Sequence, residues 1–90
     1  SPWTYEAADG VRVTLDALPS VANVANEDFG AAADKKHKPD GGATIRFLCT
    51  NPAYLVSRVL GGKGALVVKS PDSVRALVRD ELYRIAQLYP

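Results

Sequence analysis

The side chains that most often carry chemistry are few in this sequence, and the basic segment 35–38 holds several of them. It contains His37, the only histidine, together with three lysines, and Asp34 and Asp40 flank it. A zinc site needs further histidines or cysteines at short spacing, and the sequence has none near His37. The flanking carboxylates also offset the charge that would attract a phosphate. The segment therefore predicts a solvated loop, with neither a metal nor a catalytic role for His37.

Cys49 is the only cysteine, so the chain forms no internal disulfide. A nucleophilic thiolate needs a nearby base or cation. Cys49 instead alternates with the apolar residues Ile45 and Phe47. This spacing predicts a packed core thiol in a reducing compartment, and we expect the chain to be a cytoplasmic protein.

The glycine-rich segment 61–64 contains Lys63 and is superficially similar to a phosphate-binding loop. Such a loop follows a strand and opens a helix, which points the helix dipole at the phosphate. Segment 61–64 follows a predicted helix and opens a predicted strand. The pattern predicts a turn that ends the helix, with Gly61 and Gly62 supplying the positive φ. None of these three candidates, His37, Cys49 and segment 61–64, indicates a catalytic residue or a cofactor site. We therefore expect no enzyme activity.

Two segments alternate strictly between apolar and polar residues, which is typical of a half-buried β-strand. They cover 11–17 and 43–50 and are predicted to be the central strands. The inward residues are Val11, Val13, Leu15, Ile45, Phe47 and Cys49. The outward residues are Arg12, Thr14, Asp16, Thr44, Arg46, Leu48 and Thr50.

The remaining segments complete an α+β fold. In chain order they predict a short helix at 21–26, an edge strand at 29–33, a hairpin loop at 35–42, a helix at 52–60, a strand at 64–69 and a long helix at 71–89. Asn51 caps the helix over 52–60 and Pro52 suits its first position. The order βαββαβ predicts a ferredoxin-like sandwich with an appended C-terminal helix. The helices then cover one face of a four-stranded antiparallel sheet and leave the other open.

The terminal helix carries the strongest periodic signal in the chain. Its apolar residues recur every three or four positions between charged ones, which predicts one apolar stripe against the core. We expect Ser70 to cap this helix, with Pro71 at its first position. Leu77 and Leu82 are expected to be buried together with Val13, Ile45 and Phe47.

The open sheet face is the candidate interaction face. Its members are the outward residues Arg12, Thr14, Arg46 and Leu48 of the central strands, with Lys69 from the last strand. Arg12 and Arg46 are expected to lie close together, and Asp16 to compensate part of their repulsion. The face holds no exposed aromatic residues for stacking bases, which argues against RNA recognition of the kind this topology supports. It is either a solvated face or a docking surface.

Composition sets the remaining limits. Ninety residues with 47% hydrophobic and 23% charged side chains indicate one globular domain. The net charge of +1 supplies no general attraction to nucleic acid or anionic lipid. No apolar run approaches the ~20 residues of a membrane span. We interpret 1–10 as a linker or lead-in and 11–90 as a single domain from the C-terminal end of a longer protein. Trp3 and Tyr5 either cover a core edge or contact an upstream domain.

The C-terminal half resembles the C-terminal extension of WYL-domain transcriptional regulators, including those of the proteasome accessory factor type. The similarity is close over 44–89 and loose over 11–89. It rests on a leucine and glycine that end a helix, an apolar strand, a proline and the start of a terminal helix that ends in tyrosine. The matching positions are Leu60, Gly61 or Gly62, Leu66, Val68, Pro71, Val74 and Arg75.

The resemblance implies a bacterial regulator with an N-terminal winged helix-turn-helix, a ligand-sensing WYL domain and this ferredoxin-like extension. The extension would assist dimerisation or transmit the ligand response, without catalysis or a cofactor. Its partners would be the other domains of the same chain and a second copy or paralogue, with DNA contacted only through the N-terminal domain. An ACT-like domain that binds a small metabolite at a dimer interface is the alternative. A small ferredoxin-like enzyme is disfavoured, because His37 stands alone.

Overall fold

The chain folds into an α+β arrangement with four strands and two helices over the part described. The computed structural model describes residues 10–23, 29 and 33–90. In chain order the elements are β1 (Val11–Ala17), a 3-10 turn (Pro19–Val21), β2 (Asp34–His37), β3 (Ala43–Cys49), α1 (Pro52–Gly61), β4 (Leu66–Ser70) and α2 (Asp72–Ala86). Of the helix predicted at 21–26, only its start falls within the described residues. Trp3 and Tyr5 lie outside them.

The sheet has the order β2-β3-β1-β4 with antiparallel neighbours throughout. The two strands predicted from alternation, β1 and β3, are central and pair along their whole length, with Val13 opposite Phe47 and Leu15 opposite Ile45. All four of these side chains are buried. Val11 pairs with Cys49 and lies on the same face as Val13, as predicted, but it is 37% exposed because it is the first residue of the strand.

The edge strand β2 lies later in the chain than predicted. Residues 34–37 form it, whereas Phe29 is in a turn and Ala33 is outside any strand. The prediction of a loop over the basic segment was therefore wrong. The hairpin turn is tighter than expected: Gly41 N–H donates to the Lys38 carbonyl oxygen and Lys38 N–H donates to the Gly42 carbonyl oxygen. The turn takes only residues 38–42, which leaves 34–37 to pair with β3. Charged residues are tolerated there because β2 is an edge strand.

Helix α1 begins as the sequence predicts and packs against the inner sheet face. The Asn51 side chain accepts a hydrogen bond from the Tyr54 N–H at 3.1 Å, which satisfies one of the unpaired donors of the first turn. Leu55, Val56 and Val59 are buried. Burial of three aliphatic side chains, each worth about 1.5–3 kcal/mol, makes α1 the main helical cover of the core.

The turn after α1 places its left-handed residues differently from the prediction. Gly62 has a φ of −78°, whereas Lys63 has a φ of 53° and Gly64 a φ of 89°. The helix continues through Gly61, and Lys63 N–H donates to the Leu60 carbonyl oxygen. One more helical residue moves the left-handed position from the glycine pair to the lysine.

Helix α2 starts one residue later than predicted and has a different N-cap. Ser70 is the last residue of β4, where it pairs with Thr14. Pro71 therefore occupies the N-cap position without a side-chain hydrogen bond. Asp72 stands in the first turn, where its negative charge is favourable.

Helix α2 is only shallowly packed, so the predicted burial of Leu77 and Leu82 is wrong. Leu77 is 45% exposed and Leu82 is 52% exposed, and Val74 is the one buried residue of α2. Val78 adds a partly buried contact with the core. The reason is topological. Helix α2 contacts mainly β4 and α1, and β4 is at the sheet edge, so α2 lies over the margin of the core.

Candidate interaction surfaces

The sheet face opposite the helices carries all five residues predicted as an interaction face. Arg12 lies opposite Leu48 and Thr14 lies opposite Arg46 across the β1–β3 ladder. Lys69 joins them through Asp16, because its Nζ is 4.0 Å from Asp16 Oδ2. Leu48 is exposed. We call this surface, with the outward residues of β2, the sheet face.

The arginines of the sheet face lie close together, as the sequence predicts. Arg46 is opposite Thr14, two residues from Arg12 on the same face of β1, so they are diagonal neighbours. The register also places Asp34 opposite Arg46 on its other side. The carboxylate nearest to Arg46 by strand pairing therefore comes from Asp34 on β2, just before the segment that the sequence assigned to a loop.

Asp16 is held by lysines rather than by the arginines. Lys38 Nζ is 3.0 Å from Asp16 Oδ2, and Thr44 Oγ1 donates to Asp16 Oδ1 at 3.1 Å. Burial alone would raise the pKa of Asp16, but the hydrogen bonds from Lys38 and Thr44 and the charges of Lys38 and Lys69 lower it below its ordinary value. Asp16 therefore stays ionised and fixes the β2–β3 turn against β1.

The sheet face is strongly basic. Among the described residues, its charged side chains are Arg12, Lys36, Lys38, Arg46, Lys69, Asp16 and Asp34. These five basic and two acidic groups give a formal charge of +3, whereas the whole chain has a net charge of +1. The sequence did not predict that charges of β2 join this face. A segment of charged residues lacks the apolar–polar alternation that indicates a strand. The tight Pro-Asp-Gly-Gly turn is the signal that could have located this strand.

A second surface lies along α2. Leu77, Leu82 and Ile85 lie within about 80° of Val74 around the helix, at ~100° per residue. They are on the side that packs on the core, yet Leu77 and Leu82 are about half exposed. Leu88 and Tyr89 in the following turn are more exposed still. We call Leu77, Leu82, Ile85, Leu88 and Tyr89 the α2 stripe. All but the half-buried Ile85 are exposed, because α2 extends past the core.

Grooves flank α2 on both sides. The groove between α2 and β4 encloses about 500 Å³. Its apolar lining consists of Val59, Leu60, Leu66, Val67, Val68, Val78 and Leu82, and its charged lining of Lys63, Arg75 and Arg79. The groove between α2 and α1 is lined by Leu77 and by Asp80, Glu81 and Arg84. In that second groove the hydrogen bond from Arg84 lowers the pKa of Glu81.

Within the described residues, Cys49 and His37 lie at opposite ends of the β2–β3 pair, since Cys49 ends β3 and His37 is opposite Ala43 at its start. Cys49 is buried in the core, as its alternation predicts, and His37 is exposed on β2. Among the described residues there is no group of three histidine, cysteine or carboxylate side chains able to hold a metal ion. Within the same part of the chain, every helix is too short or too polar to cross a bilayer.

Two comparisons with known proteins gave no match. No family model matches the chain, and a search of curated proteins gives no significant match.

Proposed function

We propose that this chain is a non-catalytic regulatory and dimerisation domain of a WYL-type transcriptional regulator, with a ferredoxin-like fold. The resemblance over 44–89 supports the family. The sheet order β2-β3-β1-β4 and the position of α1 between β3 and β4 are compatible with the ferredoxin-like split βαβ arrangement.

The α2 stripe is the observation that carries the interaction role. A helix that exposes leucines on its core-facing side leaves apolar area in water, at a cost of about 25 cal/mol per Å². Leu77 and Leu82 line the grooves on opposite sides of α2, and exposed apolar side chains gathered along one helix favour contact with another protein surface. We therefore assign the dimer contact to the α2 stripe.

The sheet face suits a different contact. The cores of protein interfaces are depleted in charged residues, and this face carries a formal charge of +3 in its seven charged groups. Charged faces contribute mainly to orientation and to the rate of association. We assign it to docking of the WYL domain of the same chain, while DNA is contacted through the N-terminal domain.

A matched pair of substitutions tests the dimer contact. Leu77 on α2 is 45% exposed and Leu48 on the sheet face is 46% exposed, so Leu77→Glu and Leu48→Glu introduce the same charge at equal exposure. Sedimentation equilibrium of the chain is expected to show a dimer for the wild type and for Leu48→Glu, and a monomer for Leu77→Glu. The reverse result would move the dimer contact to the sheet face.

The docking role of the sheet face has its own test. In the full-length regulator, Arg46→Glu is expected to weaken the effector response in a reporter assay. The melting temperature of the isolated chain should stay nearly unchanged, because Arg46 is exposed. Lys35→Glu, on the other side of β2 opposite the buried Ile45, is the control for charge alone. An unaltered effector response in Arg46→Glu would mean that the sheet face is a solvated surface and does not dock the WYL domain.

The alternative role, an ACT-like domain that binds a metabolite at a dimer interface, is favoured by one observation. The α2–β4 groove lies next to the α2 stripe, since Leu82 belongs to both. Under this alternative a small ligand would tighten the dimer, and sedimentation with and without that ligand separates the two roles.

A further inference from the structure

The α2–β4 groove has the shape and lining of a small-molecule site. Its volume of about 500 Å³ falls within the range of about 300–1,000 Å³ typical of ligand pockets. Its floor is aliphatic: Leu66 and Val68 come from β4, Val59 from α1, and Val78 from α2. Such a floor favours an apolar body without hydrogen-bonding groups.

The charges around this floor are all positive. Lys63, Arg75 and Arg79 line the groove, and among its described lining residues there is no carboxylate. Arg75 NH1 is 3.7 Å from Asp72, whose side chain is 99% exposed, so this pair neutralises little. Within the described part of the chain, Lys63 and Arg79 have no ion-pair partner. Three cations beside apolar surface create a potential that an anion would offset.

The backbone at Lys63 supports a role for its side chain. Its φ of 53° is left-handed, a conformation that is unfavourable for a non-glycine residue. Gly64 beside it also has a positive φ, and both residues line the groove. Strain of this kind at a residue that lines a groove supports a functional role for its side chain.

We propose that the α2–β4 groove binds a small organic anion that joins one carboxylate to an aliphatic body, of the class of medium-chain fatty acids. The aliphatic body lies on the floor formed by β4, α1 and Val78. The carboxylate meets Lys63 and Arg79 at the rim, where charge-assisted hydrogen bonds are stronger than neutral ones. Aromatic side chains are missing from the described lining, so the site does not select for flat rings by stacking.

The test uses decanoate, below its micelle concentration, titrated into the chain and followed by calorimetry and by amide NMR shifts. Saturable binding is expected, with shifts concentrated at Val68, Val78 and their neighbours. Decylamine has the same aliphatic chain and the opposite charge, and it should bind at least about tenfold more weakly, because charge-assisted contacts are worth about 1.5–3 kcal/mol.

Two variants and one control make the result specific. Arg79→Gln should weaken decanoate binding at least about tenfold. Lys63→Gly should weaken it as well while leaving the melting temperature equal or higher, because glycine relieves the left-handed strain. Arg46→Gln removes the same charge from the sheet face and should leave the affinity within about twofold, since exposed charges on the far face are screened by salt.

The proposal is overturned if decylamine binds as well as decanoate, or if Arg46→Gln weakens binding as much as Arg79→Gln. It is also overturned if an acidic peptide shifts β4 amides while decanoate does not, because the groove would then recognise an added strand. Leu82 belongs to both the groove and the α2 stripe, so the binding test is separated from the dimer assignment by a variant outside the groove. Leu77 does not line this groove, so the Leu77→Glu chain should still bind decanoate if the dimer proposal fails.

Discussion

Truncation of two leucines to alanine tests how the two helices contribute to stability. Leu55 on α1 is 1% exposed, whereas Leu82 on α2 is 52% exposed. Leu55→Ala leaves a closed cavity and should cost about 2–5 kcal/mol. For a 90-residue chain the total stability is about 5–13 kcal/mol, so this one substitution removes a large fraction of it.

Leu82→Ala should have a much smaller effect. Full burial of a leucine side chain is worth about 1.5–3 kcal/mol, and Leu82 buries only about half of its surface. No closed cavity forms at an exposed site, and alanine has the slightly higher helix propensity. The expected loss is therefore below about 1 kcal/mol in the monomer.

Urea unfolding followed by circular dichroism measures both losses. With a slope of about 1–3 kcal/mol per M, a loss of 3 kcal/mol moves the midpoint of Leu55→Ala by about 1–3 M. The experiment belongs at low concentration, where sedimentation shows a monomer, and then at high concentration. Because Leu82 lies in the α2 stripe, its truncation should cost more at the higher concentration. A loss of 2 kcal/mol or more for Leu82→Ala in the monomer would refute the shallow packing of α2.

Three further predictions follow from particular contacts. The folded-state pKa of Asp16 is lowered. Ionised Asp16 therefore stabilises the fold above the unfolded pKa of about 3.9, and this stabilisation is lost as pH falls through the folded value. In acid melts, the difference in stability between wild type and Asp16→Asn should therefore disappear. Cys49 is 5% exposed and should react with thiol reagents only as fast as the domain opens, whereas modification at the rate of a free thiol would contradict the register of β3. Gly42→Ala should destabilise, because a Cβ there would lie 2.6 Å from a backbone oxygen, while Gly61→Ala, with no atom within 4 Å, should be neutral or stabilising in thermal melts.

The sequence predicts the centre of this fold well. Strands β1 and β3 are found from alternation because each presents one face to the core, and their pairing follows once Val13 and Phe47 share that face. The start of α1 is also predictable, since Asn51 and Pro52 act through local backbone geometry. The outward positions of Arg12 and Arg46 follow from the same alternation, so the sheet face is largely readable from sequence.

The margins of the fold are not predictable in the same way. Strand β2 has no buried face to impose alternation, and its position depends on the turn at 38–42. The apolar periodicity of α2 correctly indicates a helix, but periodicity does not say what lies beneath it. The α2–β4 groove also escapes sequence reasoning, because Lys63, Arg75 and Arg79 meet only after α2 folds back along β4.

The overhang of α2 has a consequence for folding coupled to binding. Beyond Val78, α2 has eight residues and none of them is buried, and isolated helices shorter than about 12–15 residues are marginal in water. The amides of this segment should therefore exchange with solvent through fraying of the helix end, long before the sheet opens. A partner that covers the α2 stripe also supplies the free energy that keeps the last turns helical. Part of the association energy is spent on this ordering, so protection of these amides against exchange would report occupancy of the interface.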